Sequence, residues 1–118
     1  MGVQTDSKQI KKALTRIDNC IATTAQTLTT ATGIVLPTGK TWADINYVIF
    51  QVDNQTSPVT VTGTLVRYCE DGTTPTSTVG KKLADGESSD IIGANNASKI
   101  RLLKIGADTV VLQIAFYK

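Results

Sequence analysis

The sequence contains no histidine, only two cysteines and few aromatic residues, which make up 5% of the chain. Without histidine there is no imidazole for a Ser-His-Asp triad, for acid–base pairs or for a His-containing zinc site. Two thiols also fall short of the three or four that a thiolate metal site uses. We therefore predict no enzyme activity, no cofactor and no catalytic or metal-binding residues.

Long apolar runs are also missing. No run approaches the roughly 20 residues that a membrane helix needs, and Met1 to Ile21 alternates polar and apolar residues too closely for a signal peptide. We therefore expect no membrane partner and synthesis in a cytoplasm. Cys20 and Cys69 lie in different kinds of segment, so we expect two reduced thiols and no disulfide.

What the chain does contain is β-branched residues, including 19 threonines among its 118 residues. Val, Ile and Thr favour strands because their χ1 angle is restricted in a helix. With 41% hydrophobic residues and 12.6 kDa, the chain is long enough for one domain with an appendage and too short for two. We predict a mainly β protein.

The first segment is the exception, because its apolar residues recur at helical spacing. Asp6, followed three residues later by Gln9, is a suitable N-cap pair. Beyond it, apolar residues recur in steps of four, three, four and seven, with Thr24 at the skipped position. This heptad-like seam predicts a helix that associates with other copies of the chain, with a coiled coil of three or four helices favoured. The alternative is a helix packed on its own domain. The predicted oligomer interface consists of Ile10, Leu14, Ile17, Ile21 and Leu28.

The segment 22–32 contains too many threonines for a stable helix, which predicts a connector. We therefore divide the chain into a helix and connector, 1–32, and a β domain, 33–118. The excess positive charge lies on one side of the same boundary, because the eight cations after Gly33 are balanced by eight anions. Before Gly33, Asp6 and Asp18 face four cations, which are Lys8, Lys11, Lys12 and Arg16. A basic end of this kind suits an acidic protein surface or nucleic acid, or is a solvated helix face. Since no aromatics are interleaved, we expect no nucleic acid.

After Gly33 the apolar period changes to two, and short alternating segments are separated by turn residues such as Asp71-Gly72 and Asp85-Gly86. Short strands at this spacing predict an antiparallel β-sandwich or a jelly-roll-like domain. The predicted strands are Gly33–Leu36, Ile45–Asp53, Pro58–Glu70, Thr78–Leu83, Lys99–Ile105 and Thr109–Tyr117.

Several motifs suggest chemistry but fit turns better. The sequence 36–41 (LPTGKT) lacks the glycine five positions before Gly39 that a phosphate-binding loop needs, which leaves a turn. The carboxylates lie at predicted turns, which argues against paired-carboxylate catalysis, although a surface calcium site remains open at the oxygen-rich turns. Among the aromatics, Trp42 is the one that we expect at an interface.

The helix, the Thr-rich connector and the β domain together resemble the small auxiliary proteins of tailed bacteriophage virions, the capsid decoration or head-fibre proteins. The stretch Lys82 to Ser88 (KLADGES) is similar to a turn that is common in such phage β domains. The resemblance concerns the plan of the chain and includes no diagnostic motif.

The resemblance implies a homotrimer that decorates or cements a phage capsid, without catalysis. Its partners would be other copies of the chain and the major capsid protein or another virion protein. The protein would be made in the host bacterial cytoplasm and located in the virion. Lys8, Lys11, Lys12 and Arg16 would contact the capsid. The alternative is a glycan- or receptor-binding module of a phage fibre.

Overall fold

The computed structural model describes residues 20–29 and 31–118. In these residues it contains seven strands, a single 3-10 turn at Trp42–Asp44 and a one-turn helix, α1, at Ala94–Ala97. The strands are β1 Cys20–Thr27, β2 Tyr47–Asn54, β3 Thr64–Cys69, β4 Lys81–Ala84, β5 Ile92–Gly93, β6 Arg101–Lys104 and β7 Val110–Tyr117. They form a first sheet with the order β1-β7-β2-β5 and a second sheet with the order β4-β3-β6. All the pairs are antiparallel.

The core lies between the two sheets. In the first sheet, alternate residues of β2 face inward and lie opposite alternate residues of β7, as in the pair Phe50 and Ile114. Tyr68 of the second sheet packs against Phe50 in an edge-to-face contact, with the ring centroids 5.2 Å apart and the ring planes at 78°. Burial of apolar surface contributes about 25 cal/mol per Å², so these layers supply most of the favourable free energy. The prediction of a mainly β, antiparallel domain is confirmed, and the layers are compatible with a sandwich.

Chain segments that pass from one sheet to the other close both sides of the core. On one side, Thr32 pairs with Leu102 of β6 through two backbone hydrogen bonds of 3.1 and 2.7 Å. On the other side, the backbone N–H of Val52 donates to the carbonyl of Glu87 at 3.0 Å. The N–H of Ser89 donates to the carbonyl of Phe50 at 2.7 Å. The two sheets are therefore joined at both flanks.

The strand predictions succeed best where the alternation is longest. Ile45–Asp53 and Thr109–Tyr117 correspond to β2 and β7, and Lys99–Ile105 contains β6. Thr78–Leu83 overlaps β4, which begins at Lys81.

Two predicted strands differ from the structure. Only the second half of Pro58–Glu70 is a strand, β3, because residues 58–63 form a loop held by side chains. Gly33–Leu36 is not a strand, since its backbone bonds to the side chain of Gln26. The two-residue β5 is too short to produce an alternation that sequence analysis could detect.

The predicted helix is wrong from Cys20 onward, and the connector prediction fails with it. Cys20–Thr27 is a strand that pairs with β7, with a register shift between Cys20 and Ala22, so Ile21 lies in a strand. Leu28, which follows the strand, is 3% exposed and belongs to this chain's own core. The physical reason is that threonines lose χ1 freedom in a helix but fit a pleated sheet. The other interface residues, Ile10, Leu14 and Ile17, lie outside the described residues.

Candidate functional site

The described part of the chain contains an open groove of about 580 Å³. It lies where the end of β3 and the start of β4 approach α1. We call it the groove, and it is lined by Tyr68, Cys69, Glu70, Asp71, Thr73, Val79, Gly80, Lys81, Asn96 and Lys99. Its walls therefore carry carboxylates, ammonium groups, an amide and hydroxyls, all of which can form hydrogen bonds with a polar ligand.

An ion pair forms one wall of the groove. The ammonium Nζ of Lys81 lies 2.6 Å from Oε2 of Glu70 and 3.9 Å from Oδ2 of Asp90. Its hydrogen bond to Glu70 raises the pKa of Lys81 above its usual range. The ammonium lies 5.9 Å from the centre of the Tyr68 ring. Burial raises the pKa of Tyr68, so this hydroxyl stays protonated at neutral pH.

The groove is also lined by a loop, 70–80, whose shape depends on Gly80. Gly80 has a φ of 122°, and a Cβ there would lie 3.2 Å from Arg67 Cβ, Pro75 Cβ and the nitrogen of Tyr68. Arg67 donates from Nη1 to the carbonyl of Gly80 at 2.9 Å. The hydroxyl of Thr76 accepts hydrogen bonds from the backbone within the same loop. The loop is thus held by side chains that hydrogen-bond its backbone.

The carboxylates near the turns organise backbone. Asp71 accepts from the N–H of Thr73 at 3.0 Å, which lowers the pKa of Asp71. Asp85 accepts from the N–H of Asn54 at 2.9 Å. In residues 20–29 and 31–118, no three His, Cys, Asp or Glu side chains are grouped so that they could hold a metal ion. The calcium site that the sequence left open has no such cluster in this part of the chain.

A second feature is the side of the first sheet that faces away from the core, which we call the outer face. It carries Thr23, Ala25 and Thr27 from β1, Tyr47, Ile49, Gln51 and Asp53 from β2, and Val111, Gln113, Ala115 and Tyr117 from β7. Asp53 is the single charged residue among them. At one end, Tyr47 and Tyr117 stack with ring centroids 4.6 Å apart and planes at 8°. The outer face is therefore weakly polar and nearly uncharged, and Tyr47 at its end is 3% exposed.

Asp108 is a buried carboxylate that sequence analysis treated as an ordinary turn residue. It is 3% exposed and accepts hydrogen bonds from the side chain of Asn54, the hydroxyl and N–H of Thr60, and the N–H of Val61. The hydrogen bonds from Thr60, Asn54 and Val61 hold the pKa of Asp108 far below its usual range. Its role is to hold the loop before β3 onto the start of β7, and no sequence pattern could have indicated these distant partners.

The structure gives the other predicted site residues different surroundings. Trp42 is half-buried and packs against the core, within a 3-10 turn that is capped by Thr41 and Asp44. The turn predicted in the sequence 36–41 is present, since Gly39 has a φ of 80° and Lys40 N donates to the carbonyl of Pro37 at 3.1 Å. Cys20 and Cys69 are free thiols in different sheets. The predicted capsid contacts, Lys8, Lys11, Lys12 and Arg16, lie outside the described residues.

Comparison with known proteins adds no relative. No known protein family, curated protein sequence or solved structure matches the chain. Over the residues that the structure describes, neither helical turn has the length and hydropathy to span a bilayer. The functional argument therefore rests on the molecule's own surfaces.

Proposed function

We propose that the protein is a structural virion component, which decorates or cements a phage capsid as a homo-oligomer. The observation that carries the proposal is the outer face, which presents hydroxyl, amide and apolar groups with Asp53 as its single charge. The centres of protein–protein interfaces are depleted of charged residues and contain aromatics, as this face does with Tyr117. A face with so little charge suits contact with another protein.

Attachment is proposed to involve the segment before Cys20. All the excess positive charge of the chain lies there, while the residues after Gly33 carry eight cations and eight anions. Cys20 pairs with Tyr117, so the segment joins the molecule at the tyrosine end of the outer face. Exposed charges act over only about 8 Å at physiological salt, so the basic end must be the end that approaches an acidic capsid.

The test is co-sedimentation with purified capsids of the phage that encodes the chain. In the test variant, Lys8, Lys11, Lys12 and Arg16 are all replaced by Glu. In the matched control, four exposed cations of the sandwich, Lys40, Lys82, Lys99 and Lys118, are replaced by Glu, which changes the net charge equally. We expect the test variant to lose binding at about 0.15 M salt and the control to keep it.

Wild-type binding should also weaken as the salt concentration rises. Full occupancy of capsids by the test variant would contradict attachment through the basic segment. Failure of the wild-type chain to bind these capsids at any salt concentration would contradict the decoration role itself.

The groove favours a second candidate function, the binding of a glycan as part of a phage fibre. Its supporting observation is the open lining of donors and acceptors around the Lys81–Glu70 pair. Titration of labelled protein with a glycan panel should perturb resonances of the groove first. Asn96→Ala should weaken binding, whereas Asn95→Ala, a change in an exposed neighbour that does not line the groove, should not. A panel without a ligand would contradict this candidate.

A further inference from the structure

The strand β1 lies at one end of the first sheet, so one of its edges faces away from β7. In the ladder between β1 and β7, Leu28 is opposite Val110, and its N–H donates to the carbonyl of Val110 at 2.9 Å. Antiparallel ladders alternate, so the even-numbered residues of β1 bond to β7. The N–H and C=O groups of Thr23, Ala25 and Thr27 therefore point away from the sheet. Among the described residues, no backbone group bonds to them.

Apart from a register shift between Cys20 and Ala22, this edge lacks the features that protect edge strands from pairing. Long edges are normally interrupted by charges, by proline or by shortness. The strand β1 has eight residues (CIATTAQT) with no charge and no proline. At the other end of the first sheet, β5 has only two residues. At the edge of the second sheet, β4 carries Lys81 and Lys82. The long β1 edge is the exception.

Two further observations mark the same edge as incomplete. The hydroxyl of Thr24, in the middle of β1, is buried and has no hydrogen-bond partner among the described residues. Beside it, a recess of about 210 Å³ is lined by Thr24 and by the segment 35–38. Val35, in that segment, is 61% exposed, which is the highest value among the large apolar residues that the structure describes. A polar group without a partner and an exposed apolar side chain therefore adjoin the unpaired backbone.

We propose that β1 pairs with β1 of a second copy of this chain, antiparallel across a two-fold axis at Thr24. In this register, Thr23 lies opposite Ala25 of the partner subunit, so the outward-pointing backbone groups of both residues are bonded. Among the two-fold registers, it is the one that places the unpartnered hydroxyl of Thr24 opposite its own copy. The strand is its own complement because it has no charge to repel its copy.

The pairing also gives Thr24 a partner. The two copies of Thr24 form a non-hydrogen-bonded pair, in which the Cα atoms lie about 4.5 Å apart and the side chains are close. Threonine pairs in that position hydrogen-bond through their hydroxyls. The first sheets of the two copies then continue into each other, and their outer faces become a single surface. This self-pairing does not depend on the capsid role proposed above.

The first experiment tests the register by cross-linking the full chain in a Cys20→Ser, Cys69→Ser background. Thr24→Cys places two thiols within the Cα separation that a disulfide spans, about 4.4–6.8 Å. The matched control, Ala22→Cys, is on the same face of the same strand, but its two copies lie about 14 Å apart in this register. We expect Thr24→Cys to form a disulfide dimer on mild oxidation and Ala22→Cys to remain uncross-linked.

The second experiment measures the solution mass of the full chain by sedimentation at about 100 µM. We expect an even number of copies for the wild type, and at least a twofold loss of mass for Ala25→Lys, which puts charge on the edge. Gln113→Lys, the matched control on the neighbouring strand of the outer face, should keep the wild-type mass. A monomeric wild type, equal cross-linking of both cysteine variants, or an unchanged mass for Ala25→Lys would each overturn the proposal. A monomeric wild type is also the result expected if the chain's own first 19 residues cover the edge.

Discussion

At the scale of single residues, the loop before β3 depends on contacts with the turn that precedes β7. Asp108 places an ionised carboxylate against the backbone of Thr60 and Val61. Two residues earlier, Gly106 has a φ of 81°, and a Cβ there would lie 2.5 Å from Cγ2 of Val61. Val61 thus donates a hydrogen bond from its N–H to Asp108 and lies close to Gly106. This arrangement predicts two effects on stability, one electrostatic and one steric.

The electrostatic prediction concerns Asp108→Asn. The folded-state pKa of Asp108 lies below its unfolded value of about 3.9. The ionised form therefore adds stability that is fully present above pH 4 or so, and is lost as the pH falls through the folded pKa. Thermal unfolding followed by circular dichroism should show a lower Tm for the variant at about pH 7. Between about pH 5 and pH 2.5, its Tm should fall less than that of the wild type.

Asp85→Asn is the control, because Asp85 is exposed and its side chain accepts a single hydrogen bond, from Asn54. Its Tm at neutral pH should stay closer to that of the wild type. Equal acid sensitivity of Asp108→Asn and the wild type would show that this carboxylate does not titrate as described.

The steric prediction compares two glycines with the same backbone conformation. Gly106 and Gly86 have φ values of 81° and 82°, but a Cβ at Gly86 would meet nothing within 4 Å. Gly86→Ala should therefore cost only the strain of a positive φ, about 1–2 kcal/mol. Gly106→Ala should cost about 1–3 kcal/mol more, because Val61 must move. Denaturant unfolding measures the difference, and equal losses would mean that Val61 is displaced without cost.

At the scale of elements, β1 shows why the sequence analysis failed at one strand and succeeded at others. Thr24 and Leu28 are four residues apart, a spacing that puts two residues on one face of a helix and also on one face of a strand. The spacing could not separate the two, whereas Thr23, Thr24 and Thr27 favoured a strand. In β7 the alternation continues over eight residues, and the strand was predicted from it; Leu112 and Ile114 are on its buried side.

The candidate sites divide in the same way. The outer face follows from alternation within β2 and β7, so much of it could be predicted once these strands were recognised. The groove could not, because it joins Glu70 and Lys81 to Asn96 and Lys99 across separate elements. Nothing in local spacing indicates that α1 lies beside the loop 70–80. Surfaces formed by several elements need the tertiary structure.

An element-scale prediction concerns Gln26, whose side chain takes the place of a missing strand pair. Its Nε2 donates to the carbonyl of Gly33 at 2.7 Å, and its Oε1 accepts from the N–H of Val35 at 2.9 Å. Gln26→Ala leaves both backbone groups without these partners and should cost about 1–3 kcal/mol. Gln113→Ala, on the exposed outer face, should cost less than about 0.5 kcal/mol. Denaturant unfolding compares the two, and similar losses would show that the Gln26 contacts contribute nothing specific.

At the scale of the whole molecule, two self-contacts have different symmetries. The seam predicted for Ile10, Leu14 and Ile17 favours a coiled coil of three or four helices. The edge of β1, in contrast, is proposed to pair across a two-fold axis. The two-fold contact alone gives a closed dimer. A three-fold contact combined with it gives a closed assembly of six copies. The mass of the intact protein therefore reports which contacts form, because each combination gives a different number of copies.

The last prediction separates these contacts through Leu14→Asp. A carboxylate in an apolar seam costs several kcal/mol if it remains unpaired, so the variant should lose any three-fold association. Position 14 precedes the first described strand, so the sandwich should stay folded, with an unchanged far-UV circular dichroism spectrum for its strands. If both contacts form, light scattering should show a dimer for Leu14→Asp and a trimer for Ala25→Lys. If Leu14→Asp keeps the full wild-type mass, the segment before Cys20 does not hold the copies together, and the proposed trimer has no remaining contact to form it.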